Sequence, residues 1–125
     1  MTAFGQPPGK TIDVFDVTWL SPGTFLDNVV GLDIIRIPPS STSEVHKHND
    51  SDNLVYILSG SGVVYIDGAI QEVRPHDRFV IPRGAAHGFK SGSLELLFVS
   101  AQMPPIYDSV SGALDREVIM RAEQW

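Results

Sequence analysis

Apolar residues along this chain recur mostly at every second position, in short runs cut by glycine and proline. Residues 11–19 alternate loosely, with Ile12, Val14, Val17 and Trp19 among Asp13, Asp16 and Thr18, and predict a strand that ends at the turn Ser21-Pro22-Gly23. Residues 29–37 predict a stronger strand, stopped by Pro38-Pro39, because proline can neither donate to a ladder nor leave its neighbour free. Residues 53–58 and 63–66 flank Ser59-Gly60-Ser61-Gly62, where glycine's free φ suits a hairpin. Further short strands are expected at 69–73, after Asp67-Gly68, and at 79–81, 86–89 and 94–99. Many short strands at close spacing indicate an all-β closed barrel or sandwich.

The two ends differ from this pattern. Gly5, Pro7, Pro8 and Gly9 make residues 1–10 an extended lead-in to a core over about 28–102. After Met103-Pro104-Pro105, Leu114, Val118, Ile119 and Ala122 recur at helical spacing with Asp115, Arg116, Glu117 and Arg121 between them. One short helix is therefore expected within a tail over 108–124, packed on the barrel or on a partner. Neither a repeat nor a second domain is visible, so residues 1–125 are expected to form a single domain.

Composition narrows the function. A length of 125 residues suffices to bury a core without staples, and 42% hydrophobic with 19% charged residues is that of a globular protein. A net charge of −6 with only 9 scattered Lys and Arg leaves no basic stripe for nucleic acid or an anionic membrane. No apolar run approaches the roughly 18 residues of a membrane span. Asp13, Asp16 and Pro22 interrupt what would be a secretory apolar segment, so a cytoplasmic protein is expected. The absence of cysteine removes disulfides, thiolate metal sites and a thiol nucleophile, and no Gly-x-Ser-x-Gly elbow offers a serine one. Any metal must take nitrogen and oxygen ligands.

Two stretches carry candidate chemistry. In Glu44-Val45-His46-Lys47-His48, a strand would project His46 and His48 from one face, giving two adjacent imidazole ligands. In the second stretch, the run 79–81 stops at Pro82-Arg83-Gly84 and His87 follows where a new strand could start. Neutral imidazole suits zinc, copper, nickel and iron, and a His-x-His pair plus a distant His is a common way to hold them. His76, beside Pro75 at a turn, reads as a surface residue.

These stretches resemble the two motifs of the cupin superfamily, Gly-x5-His-x-His-x3 or x4-Glu-x6-Gly and Gly-x5-Pro-x-Gly-x2-His-x3-Asn. His46, His48 and Gly60 match the first, and Pro82, Gly84 and His87 the second, over roughly residues 30–100. Ser40, Asn53, His76 and Ser91 stand where the motifs have Gly, Glu, Gly and Asn. The resemblance is to small single-domain members (the cupin 2 type). It implies a double-stranded β-helix, or jelly-roll, barrel that brings both motifs to one inner wall. It also implies one divalent transition metal (Fe, Mn, Ni or Zn) on His46, His48 and His87, with Asn53 as a fourth ligand or as a partner of a metal-bound water. An early strand such as 29–37 implies pairing with a partner subunit in a homodimer.

Asn53 in place of a carboxylate leaves the metal's charge uncompensated, which favours an anionic ligand chelating through two oxygens. Asp52 is a substitute ligand only if the loop breaks the alternation of faces, and Asp50 lies in the same loop. Arg36, between Ile35 and Ile37, could face the cavity and grip an anionic substrate. Gln102 and Tyr107 fall where groups behind the ligands could sit. No general base is obvious. The expected function is a metal-dependent enzyme on a small oxygen-rich, anionic metabolite. Dioxygenation comes first, then lyase, decarboxylase or isomerase chemistry. A sugar- or effector-binding barrel without turnover is the competing class, and a metal-free structural barrel the third.

Overall fold

Phe15, Val17 and Trp19 are buried on one side of a strand whose Asp16 and Thr18 face away, and this strand is only half of the one expected over 11–19. The computed structural model describes residues 5–125, and it divides that stretch into β1 (Gly9–Ile12) and β2 (Phe15–Trp19). The two form a tight hairpin with Ile12 opposite Phe15, and Asp13 takes φ +54° in the turn. The parity of the apolar positions changes between Val14 and Val17, which is the mark of a turn that the loose alternation concealed. Residues 1–4 of the expected lead-in lie outside the described residues, and Gly9 and Lys10 are already strand.

The chain continues through β3 (Gly31–Ile37), β4 (Val45–Lys47), β5 (Asp52–Ser59), β6 (Gly62–Ile66), β7 (Ala69–Val73) and β8 (Arg78–Ile81). It ends in β9 (His87–Ser91), β10 (Leu96–Met103), β11 (Glu117–Met120) and a single 3-10 turn, Ala122–Gln124. One antiparallel sheet runs β1-β2-β3-β10-β5-β8 and the other β11-β4-β9-β6-β7. Each is apolar on its inner face, so the two close on each other as a jelly-roll barrel, the all-β architecture expected. Ile37, Val55, Ile57, Leu96 and Phe98 of the first sheet meet Val64, Val73 and Phe89 of the second, all at 3% exposure or less. Fully burying such a side chain contributes about 1.5–3 kcal/mol. Phe89 and Phe98 stack at 4.8 Å between centroids, joining the walls.

Three expectations are corrected. Residues 59–62 do not close a hairpin, because β5 and β6 belong to different sheets and the turn carries the chain across the barrel edge. Gly60 has φ +83°, and a Cβ there would fall 2.1 Å from the Glu95 carbonyl oxygen, so the corner needs glycine for space as well as for φ. The early strand β3 is bonded on both sides, by β2 and β10, so it has no free edge for a partner. The tail is not a helix. β11 adds to the edge of β4 with Glu117 opposite Lys47, and these two pair at 3.1 Å. The open backbone of that edge, together with the β-branched Val118 and Ile119, outweighs the helical spacing. Trp125 then docks on the second sheet, where its Nε1–H donates to the Ser43 carbonyl at 2.8 Å.

Candidate metal centre

His46 lies in β4 and His87 opens β9, directly opposite it in the ladder, while His48 follows one residue after β4. The ring centroids are 4.4 Å apart for His46 and His87, 4.9 Å for His48 and His87, and 5.1 Å for His46 and His48. One nitrogen from each lies within 4.8 Å of the others, and all three rings are buried. The His-x-His spacing puts two rings on one face and the antiparallel pairing brings the third between them.

Hydrogen bonds orient two of the rings. His48 Nδ1–H donates to the Asp115 carbonyl at 2.6 Å and His87 Nδ1–H to the Ala85 carbonyl at 3.0 Å, which leaves each Nε2 lone pair free. His46 Nδ1 is buried with no hydrogen-bond partner among the described residues. The Glu44 backbone also acts on this ring, so what fits a metal is the convergence of one nitrogen from each of the three rings. Burial holds all three below the usual imidazole range: His46 well below, with His87 and His48 adding to the effect, His48 below, and His87 at about 4. Neutral rings with free lone pairs are the state a metal requires. The donor set fits an intermediate transition metal.

The cluster opens into a small, half-open cavity of about 60 Å³. Its apolar lining includes Phe15, Trp19, Phe89 and Phe98, and Ile106, Leu114 and Arg116 come from the segment after β10. Asn53 projects into it from β5, on the facing sheet, and its Oδ1 accepts from Ser100 Oγ at 2.7 Å. Gln102 Nε2 donates to Ser100 Oγ at 2.7 Å and to Asp33 Oδ2 at 2.8 Å. Asn53 and Gln102 are therefore members of one buried polar row across β5, β10 and β3; Asn53 reaches the cavity with its amide oxygen engaged by Ser100, and Gln102 lies behind the lining.

Other candidates fall elsewhere. Arg36 alternates with Ile35 and Ile37 and so points to the outer face, where Nη1 meets both oxygens of Glu95 at 3.1 Å. It is not a cavity group. Asp52 also faces out, paired with Arg83 at 3.0 Å, and Asp50 binds the tail through its backbone N–H. Tyr107 stacks on Trp19 at 3.9 Å. His76 sits on the surface at φ +77°, within 2.9 Å of the Tyr56 hydroxyl.

Two cavity groups, Asp33 and Arg116, and one group behind the cavity, Asp115, carry no signal that was used from the sequence. Asp33 shares the inward parity of Ile35 and Ile37, so strand alternation alone could have found it. Burial raises its carboxyl to about 6, against the lowering effect of the Gln102 hydrogen bond. Arg116, with its side chain 13% exposed, pairs with Glu44 at 3.0 Å and lies 3.9 Å from Asp13. Asp115 holds His48 through its carbonyl, while its carboxylate accepts from the N–H groups of Asn49 and Asp50. Both sit in the tail whose path the helical spacing misjudged.

A two-sheet barrel with a buried imidazole triad in its mouth defines a class of small metal-site β-barrel. The chain belongs to the cupin domain family, whose model matches residues 33–100. An uncharacterised protein of Aquifex aeolicus is 37% identical over 68 residues, 54% of this chain and 55% of that protein. The chain spans about half the length of the curated relatives it matches. Pac13, a nucleoside dehydratase of Streptomyces, superposes with a TM-score of 0.74 at 14% identity over 93% of this chain and 87% of its own. The oxalate decarboxylase of Lactobacillus farciminis, solved as a formate complex, gives 0.71 at 18% identity over 90% of this chain and 33% of its own. At these identities the likeness is one of fold. Among the described residues no helix is long and apolar enough to cross a membrane.

Proposed function

We propose that this chain is a cytoplasmic, metal-dependent enzyme acting on a small, oxygen-rich, anionic metabolite. The observation that carries the reading is the convergence of three buried, neutral imidazoles on a single cavity. His46, His48 and His87 would hold one divalent Fe, Mn, Ni or Zn ion, which when bound supplies Lewis-acid activation of an oxygen ligand or, as iron, access to dioxygen chemistry. Because the triad contributes no negative charge, an oxyanion from the substrate is the favoured fourth ligand. Asn53, its oxygen engaged by Ser100, holds the facing wall in register and can hydrogen-bond the bound molecule. Phe15, Phe89 and Phe98 keep bulk water from the cavity floor.

Support for non-oxidative turnover comes from the neighbours, since one dehydrates a nucleoside and another decarboxylates oxalate. Dioxygenation on the same centre is the second reading, favoured by the all-imidazole ligand set. The test is elemental analysis of protein purified without a histidine tag. About one equivalent of metal is expected, with His87→Ala retaining less than a tenth of it. A wild-type protein that holds no transition metal after incubation with each of the four would refute the reading. Oxygen uptake with iron and a panel of keto acids, diketones and phenols then separates the two chemistries.

A further inference from the structure

Among the described residues Asp33 is the only acid lining the cavity, and its position is unusual for a carboxylate. It lies near the middle of β3, 5% exposed, flanked in register by Trp19 of β2 and Ser100 of β10. Oδ2 accepts from Gln102 Nε2, and Oδ1 accepts no hydrogen bond among the described residues. Gln102 is itself fixed by Ser100, and Ser100 by Asn53, so the carboxylate is oriented by a row of groups rather than by a counter-ion. Arg116, the cation of the cavity, is taken by Glu44. A buried acid with no cationic partner is a liability for folding. Such a group is retained at functional sites where a proton must move.

From this placement we propose that Asp33 is the catalytic acid–base group of the cavity, taking a proton from carbon next to the carbonyl of a hydroxylated substrate and returning it. The proposal rests on the metal reading above and adds the group that reading lacked. The C–H bond breaks, its electron pair becomes the C=C bond of an enediolate, and the proton resides on Oδ1. Return of that proton to the former carbonyl carbon, with the hydroxyl proton passing from one enediolate oxygen to the other, gives isomerisation. Its delivery to a departing hydroxyl gives dehydration with loss of water. Burial raises the carboxyl to about 6 with no ion bound, and a resident cation would shift it back towards the ionised form that accepts a proton. The facing titratable and charged groups are His46, His48, His87 and Arg116 across the cavity.

The experiment uses zinc-loaded and manganese-loaded protein with hydroxypyruvate in D2O, following loss of the C3 proton signal. Wild type is expected to catalyse the exchange, with the rate falling at low pH as the carboxylate is protonated. Asp33→Asn, at unchanged metal content, is expected to slow it by about 100-fold to 10,000-fold. A second readout needs no turnover: the Asp33 carboxyl carbon, labelled with ¹³C, should shift when glycolate is added to the zinc-loaded protein. A variant that exchanges at the wild-type rate, a metal-replete wild type that does not exchange, or a carboxyl resonance blind to glycolate each overturns the proposal. Loss of metal from wild type would instead refute the metal centre.

Discussion

Replacing Asp33 with Asn should stabilise this protein at neutral pH, against the usual direction for a buried substitution. The amide is nearly isosteric, and its oxygen can accept the same hydrogen bond from Gln102 Nε2. What disappears is an ionisable group whose folded-state pKa of about 6 lies above its ordinary 3.8 because burial disfavours the charge. A group shifted this way binds its proton more tightly in the folded than in the unfolded chain, so stability falls as pH rises from 3.8 through 6 and the full penalty is present above 6. The gap of about two pH units, at ~1.4 kcal/mol each, comes to ~3 kcal/mol, or roughly 10 °C in Tm for a domain of this size. Urea unfolding with metal removed by chelator, at pH 7.5 and at pH 4, measures it. Chelation matters because a cation in the cavity would favour the ionised form. The expected gain approaches 3 kcal/mol at pH 7.5 and shrinks to a few tenths at pH 4. A variant no more stable than wild type at pH 7.5, or a gain that does not fade towards pH 4, would show that the carboxylate is not held at a cost, and the reasoning would fail.

Asp115→Ala should weaken zinc affinity, read by competition with a chromophoric chelator, by about 10-fold to 100-fold. The substitution frees the tail from Asn49 and Asp50 and so loosens the carbonyl that orients His48; unchanged affinity would refute this coupling. Gly60→Ala should lower stability by more than ~2 kcal/mol in chemical denaturation, since the added carbon would press on the Glu95 carbonyl at a positive φ. A neutral result would mean that the corner relaxes freely. The outer face of the first sheet is apolar across the cross-strand row Ile34, Val99, Tyr56 and the pair Leu54, Val80, where an exposed antiparallel face is normally polar. Strands about 4.8 Å apart and about seven residues long give a face on the order of 500 Å², below the roughly 800 Å² per partner of a standard interface, so a weak dimer is what it can support. A homodimer packed through this face is expected by sedimentation at micromolar concentration, with Leu54→Lys shifting it to monomer; a wild-type monomer would refute it.

Much of this protein was legible in one dimension. Period-two alternation and Gly or Pro punctuation announced the strands of β3 and β5 to β10 to within a few residues, because a strand half-buried against a facing sheet has to alternate. The His-x-His spacing likewise forced two rings to one side, and the motif match added the third. Where the alternation changed parity, as between Val14 and Val17, local reading ran one strand on through a turn. The tertiary structure decided matters that depend on neighbours distant in sequence. Val118 and Ile119 became strand because the edge of β4 was open to them. Arg36 was lost to the site because Ile35 and Ile37 take the inner face. Alternation already puts Asp33 on the inner side of β3, but its bond to Gln102 and the absence of a cation beside it followed only when β3 was laid against β10. A residue's own chain determines which side of a strand it occupies, but what lies on that side, water, another sheet or a ring of imidazoles, is settled only when the sheets close.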